Sequence, residues 1–95
     1  MAYQLIFSDT VQNLVRAASP DVRAAFKKKM EQLRTTPCIG KPLLRKLAGY
    51  YSVRTHKLRI IYKVISEKKL LEVHYVGPPR DLYQIIHQMR NGFLQ

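Results

Sequence analysis

The stretch Tyr50–Tyr62, YYSVRTHKLRIIY, decides the fold. Continued to Ile65 it alternates: Leu58, Ile60, Tyr62 and Val64 fall on one side, Arg59, Ile61, Lys63 and Ile65 on the other. Successive side chains of a β-strand point to opposite faces, so a period of two predicts a strand with one apolar face. The residues before it repeat the pattern, with Tyr51, Val53 and Thr55 set against Ser52, Arg54 and His56. Two strands, near 49–55 and 57–65, therefore form a hairpin closed by a very tight turn at His56-Lys57. The second face of this hairpin carries Arg54, Arg59 and Lys63 where a half-buried sheet ordinarily carries neutral side chains. Such a face is suited to a polyanion.

Working outward, Ser66-Glu67-Lys68-Lys69 makes the next turn and Leu70 to Val76 a third strand of an antiparallel meander, broken by Gly77-Pro78-Pro79. The following run, GPPRDLY, delivers Arg80 and Tyr83 onto a C-terminal helix whose apolar stripe is Leu82, Ile85, Ile86 and Met89 and whose end is Asn91-Gly92. Upstream, Ala2 to Phe7 reads as a short strand. Ser8 and Asp9 offer an N-cap for a helix carrying Val11, Leu14, Val15 and Ala18. Ser19-Pro20-Asp21 restarts it, with the cap, the first-turn proline and the first-turn acid in order, and Val22, Ala25, Phe26, Met30 and Leu33 form the second stripe. Pro37 stops that helix, and Cys38 to Gly49 is a connector bearing Lys41, Arg45 and Lys46. The expected class is α+β: a small antiparallel sheet covered on one face by an N-terminal helical hairpin, in the order β-α-α-β-β-β-α, as one domain over residues 1–95.

Charge narrows the function. Seventeen Lys plus Arg face six Asp plus Glu, a net charge of +11. A soluble domain this small needs a net charge of only about 2–8. The excess favours an acidic partner, nucleic acid first, through counterion release and electrostatic steering. A single cysteine, Cys38, excludes an internal disulfide and fits a reducing compartment. The opening MAYQLIF has no signal-peptide pattern, and no apolar run approaches the ~20 residues of a membrane span. A cytoplasmic location is expected, with no membrane partner.

Several chemistries lack their residues. His56, His74 and His87 are far apart and no His or Cys pair has zinc-ligand spacing, so neither a metal nor another cofactor is expected. A nucleophile triad and a Gly-rich phosphate loop are also missing. The arginines are the better candidates, because a planar guanidinium stays charged and grips phosphate through paired hydrogen bonds. Arg59 sits mid-strand among apolar neighbours; the bland reading pairs it with Glu72 on the adjacent strand. Arg80 follows two prolines that stiffen its approach, and its bland reading is a salt bridge with Asp81 or a helix cap. Tyr83 lies three residues on, on the same side of a helix. It can pack, or it can stack on a base or touch a phosphate. His56 and Lys57 at the hairpin tip are the remaining groups with useful proton chemistry.

Taken together, the opening strand and helical hairpin, the block KPLLRKLAGYYSVRTHKLRIIYKV and the closing VGPPRDLY resemble the RelE/ParE toxin superfamily, and within it the RelE type, over nearly the whole chain. Each piece is loose; their order and spacing are specific. The resemblance implies a toxin of a type II toxin–antitoxin pair that cleaves mRNA in the ribosomal A site, by attack of a ribose 2′-OH on the adjacent phosphate and without a metal. It assigns Arg59 to the scissile phosphate, Arg54 to the strand arginine before it, Arg80 to the arginine after the last strand and Tyr83 to the C-terminal tyrosine. Arg59, Arg80 and Tyr83 are then the catalytic set, and Arg54, His56, Lys57, Lys63, Arg45 and Lys46 the RNA-binding set. Tyr50 and Ser52 stand where well-known members carry lysines for proton transfer, which leaves the general base open among Tyr50, His56, Lys57 and Tyr83. Implied partners are a cognate antitoxin, with a heterotetramer as one assembly, and the ribosome with its mRNA. Alternatives are the ParE-like branch, which poisons DNA gyrase, a catalytically weak relative that binds RNA or antitoxin only, and a plain RNA-binding domain.

Overall fold

The computed structural model describes residues 2–43 and 48–78. The chain opens with β1 (Gln4–Phe7), then α1 (Asp9–Ala17) and α2 (Pro20–Thr35). Four further strands follow: β2 (Lys41–Pro42), β3 (Tyr50–Thr55), β4 (Leu58–Ile65) and β5 (Leu70–Gly77). The expected C-terminal helix lies outside the described residues.

Both helices start where the sequence says. Ser8 Oγ accepts the Val11 N–H at 3.1 Å and Ser19 Oγ accepts that of Val22 at 3.4 Å, each satisfying one of the orphan donors of a first turn. Pro20, whose missing N–H costs nothing there, occupies the first turn of α2. Phe26, Met30 and Leu33 of α2 are buried as the stripe requires. On α1 only Val11 is buried, and Leu14 is 49% exposed, so the expected stripe covers the sheet with less of α1 than of α2. The N–H of Tyr3 donates to the Arg34 carbonyl at 2.9 Å, and Arg34 Nε returns a bond to the Tyr3 carbonyl at 3.3 Å. These two bonds fasten the end of α2 to the start of the sheet.

The sheet has five strands in the order β1-β5-β4-β3-β2. It is antiparallel from β2 through β5, as expected, but β1 joins the far edge parallel to β5, with Gln4 opposite Leu70 and Phe7 opposite Val73, which makes the sheet mixed. The hairpin closes as read: Thr55 pairs with Leu58, and His56 and Lys57 form a two-residue turn with φ of 46° and 65°. Positive φ at both positions is the turn whose twist matches the flanking strands. The connector is not wholly irregular. Lys41 and Pro42 pair with Ser52 and Tyr51 as a short edge strand, a place where proline is tolerated and where it blocks further pairing.

The main core lies between the helices and one face of the sheet, where Val11, Phe26, Met30 and Leu33 meet Ile60, Tyr62, Leu71 and Val73. Tyr62 is fully buried, and its hydroxyl donates to the Pro37 carbonyl at 2.7 Å while accepting the Gly40 N–H at 3.1 Å. A Cβ on Gly40 would come within 2.6 Å of that oxygen, so only glycine lets the backbone approach. Tyr51 stacks on the same ring at 5.5 Å. One tyrosine thus ties the exit of α2 to the middle of the sheet.

Candidate nucleic-acid interface on the second sheet face

The face away from the main core is built in three rungs. Arg54 of β3, Arg59 of β4 and Gly77 of β5 are paired across the strands. Ser52, Ile61 and Tyr75 form the next rung, and Tyr50, Lys63 and Glu72 the third.

A register shift between Ile61 and Tyr62 makes β5 bulge, so that Ile61 faces Tyr75 while Tyr62 faces Val73. The extra residue is His74. A bulge sets two neighbours of one strand against a single residue of the other. His74 packs against Tyr50, ring centroids 5.0 Å apart and edge-on, while Tyr75 joins Ile61, so both lie on this second face. The face is not cationic throughout: Ile61 and Tyr75, with Leu43 and Tyr50, make a second small core there.

The first rung carries the charge. Arg54 and Arg59 are direct cross-strand partners, an arrangement of like charges that is destabilising unless something negative lies between or above them. Arg54 is exposed and Arg59 partly buried. Arg59 Nε is fully buried without a hydrogen-bond partner among the described residues. A buried donor left unsatisfied costs about 1–3 kcal/mol, and such groups are rare in folded proteins. The bland pairing of Arg59 with Glu72 is not made. The ladder puts Glu72 opposite Lys63 and puts Gly77, which has no side chain, opposite Arg59. The Tyr75 hydroxyl lies over Gly77, where a Cβ would approach it to 2.8 Å, and donates to the Pro78 carbonyl at 2.9 Å.

The third rung has its own chemistry. Glu72 Oε1 lies 3.1 Å from His74 Nε2, and the His74 side chain is only 3% exposed. Burial holds His74 below the ordinary histidine range, against the hydrogen bond and charge of Glu72 that pull it up and with a small push from Lys63. The ring is therefore neutral at pH 7, and because a carboxylate only accepts, Nε2 carries the proton it shares with Glu72. Burial, then the negative charge of Glu72, raise Tyr50 above the ordinary phenol range. Its hydroxyl stays protonated at neutral pH and is a donor, which argues against Tyr50 as the general base. Lys63 Nζ sits 5.5 Å from the centroid of the Tyr50 ring.

Of the residues expected at the site, Arg54, Arg59 and Lys63 share this face. His56 and Lys57 are exposed at the hairpin tip, beyond the first rung. Arg45, Lys46, Arg80 and Tyr83 lie outside the described residues. Glu72, weighed only as a partner for Arg59, and His74, weighed only as a metal ligand, are the additions. The sequence signal for them is period two, which sets Glu72 and His74 on one side of the strand, while the beat skipped between Val73 and Val76 marks the bulge. Among the described residues there is no cluster of metal-binding side chains, and no helix is long and apolar enough to cross a membrane.

Comparison with known proteins fits this geometry. No curated protein sequence matches the chain. Among solved structures, the RelBE2 toxin–antitoxin complex of Mycobacterium tuberculosis contains a chain 28% identical, with a TM-score of 0.74 over 82% of this chain and 99% of that one. A variant of E. coli RelE in the free state is 27% identical, with a TM-score of 0.77 over 96% and 97% of the two chains. The intact E. coli RelBE complex gives 29% identity and a TM-score of 0.73 over 84% and 100%. Residues 3–83 match the family described as the ParE toxin of the type II toxin–antitoxin system parDE. The chain therefore belongs to the ParE toxin family and, with its likeness to RelE, to the RelE/ParE superfamily of type II toxins.

Proposed function

We propose that the protein is a ribosome-dependent endoribonuclease that cleaves mRNA in the A site and acts in the cytoplasm. The observation that carries this reading is Arg59, a guanidinium whose buried Nε has no partner among the described residues and which faces Arg54 on a strongly basic sheet. A phosphate over the first rung pairs with the guanidinium of Arg59 and relieves the repulsion between the two arginines at once. Attack of the 2′-OH on that phosphate raises negative charge on its oxygens, and donors already in place lower the barrier without reorganising. Arg80 and Tyr83, a few residues beyond Pro78, complete the set. Lys63, Arg45, Lys46, His56 and Lys57 hold the flanking backbone.

The ribosome supplies what a small sheet lacks, an mRNA held with the 2′-OH in line with the leaving oxygen. The antitoxin is expected to be an acidic, partly helical segment that orders on binding. An apolar groove lined by Leu14, Val15, Val22, Phe26, Leu58 and Val76, with Arg23 among its walls, suits such a segment on a chain of net charge +11. Relatives solved as toxin–antitoxin complexes support an antitoxin partner, and a heterotetramer is the assembly proposed for it.

A second reading, poisoning of DNA gyrase, is favoured by the description of the matching family as ParE. Incubation of the protein with programmed ribosomes and mapping of the mRNA ends separates the two. The expected result is breaks in the A-site codon ending in a 2′,3′-cyclic phosphate and a 5′-OH, with naked RNA intact. Cleaved DNA–gyrase complexes and intact mRNA would establish the other reading, and neither product would leave a binding protein only.

A further inference from the structure

We propose that Glu72 is the proton acceptor for the attacking 2′-OH, held in place by His74, so that one strand-borne carboxylate replaces the lysines missing at Tyr50 and Ser52. The inference rests on the ribonuclease reading of the same face. Among the described residues Glu72 is the one carboxylate on that face, in a chain with six acidic residues in all. On a surface meant for a polyanion, an added negative charge repels the ligand and needs a reason to be there.

Neutralising its neighbour is not the reason. Lys63, directly opposite, makes no ion pair with Glu72; the carboxylate is bound to His74 instead. His74, two residues on and so on the same side of the strand, supplies the partner, and burial fixes the ring. Oε1 is thus anchored while the side chain keeps 24% of its surface exposed, a carboxylate pre-set in orientation and still open to a ligand.

The spacing fits a nucleotide step. The Arg59 and Lys63–Glu72 rungs are four residues apart along β4, roughly 13 Å at the rise of a β-strand. Arginine and glutamate side chains together cover most of that span. A phosphate held by Arg59 then sets the adjoining 2′-OH over the middle rung of Ser52, Ile61 and Tyr75, within reach of Glu72. In the step, the 2′-OH proton passes to Glu72 as the 2′-oxygen–phosphorus bond forms. The phosphorus–5′-oxygen bond breaks, the leaving oxygen takes a proton from water, and Glu72 returns its own to solvent.

The test uses the full chain on programmed ribosomes under single-turnover conditions, with Glu72→Gln as the key variant. Glutamine still accepts the His74 N–H, so a structural role survives it and only basicity is lost. The expected result is a rate loss of about 10²–10⁴-fold, the usual worth of general base catalysis. Glu72→Asp, which keeps a carboxylate, should retain part of the rate that Glu72→Gln loses. Among the described residues the groups facing Glu72 that also bear charge or titrate are Lys63 from β4, Tyr50 from β3 and His74 from its own strand, and none of them is altered by either variant. Equal rates for Glu72→Gln and wild type, with wild type active, would overturn the assignment of Glu72 alone. A wild-type protein that cuts no mRNA would overturn the ribonuclease reading and this inference with it.

Discussion

Tyr62 and Arg59 lie three residues apart on the same strand, yet they meet opposite fates. On the helix-covered face the Tyr62 hydroxyl is buried with both a donor and an acceptor in place. On the second face the Arg59 Nε is buried with no hydrogen-bond partner among the described residues. One polar group is consumed by the fold; the other is left over. A sheet this small cannot be optimised on both faces if one of them must receive a ligand, and the contrast marks which face that is.

The sharpest way to break the contrast is to delete each group and compare losses. Arg59→Ala should lower mRNA cleavage on ribosomes by about 10²–10³-fold, the typical loss for one transition-state donor. Its Tm should stay at or slightly above that of wild type, because the variant removes an unsatisfied donor and a like-charge pair. Tyr62→Phe should do the reverse. Stranding the Pro37 carbonyl and the Gly40 N–H should cost about 1–3 kcal/mol in urea denaturation, with cleavage by the folded fraction unchanged.

Tyr62 also predicts a pH signature. Burial pushes its hydroxyl up to about 12, against the opposing pull of the Gly40 N–H. Above its unfolded value near 10 the unfolded chain releases this proton first, so the stability it contributes is intact below pH 10 and is lost between about 10 and 12. Subtracting the Tyr62→Phe profile from wild type isolates this loss from the other tyrosines and lysines. A flat difference across that window would contradict the enclosed hydroxyl.

The smallest expected effect is at the hairpin tip. His56 and Lys57 both hold positive φ, a conformation that favours Asn and Gly. The double change His56→Asn, Lys57→Gly should raise stability by about 1 kcal/mol or more, given the cost of left-handed backbone in non-glycine residues. If RNA is cut at the wild-type rate afterwards, the tip is a turn and not part of the site.

The hairpin and both helices were legible in the sequence because each rests on local chemistry: period-two alternation for β3 and β4, Ser8 and Ser19 for the helix starts. The parallel docking of β1 was not, since four residues of weak alternation carry no information about their neighbour. Lys41-Pro42 is too short to show a period at all. At the site, Arg54, Arg59 and Lys63 could be read because they keep the alternation of the hairpin. Glu72 and His74 share a side by the same alternation, but their bond rests on a ring buried against Tyr50, which alternation does not show. The rejected Arg59–Glu72 pairing fails for a matter of register, which no single strand displays.

The claim that Arg59 is held ready for a phosphate can be tested at the atom concerned. In the 15N-labelled protein the Arg59 Nε–H resonance can be followed while an RNA trinucleotide, made uncleavable by a 2′-deoxy sugar at the reacting position, is added at low salt. This resonance should shift saturably and its exchange with water should slow, while Arg34, which already donates to the Tyr3 carbonyl, stays unmoved. An Arg59 Nε–H that stays in place while backbone amides of β3 and β4 report saturation would contradict it, because the phosphate would then sit elsewhere on the face.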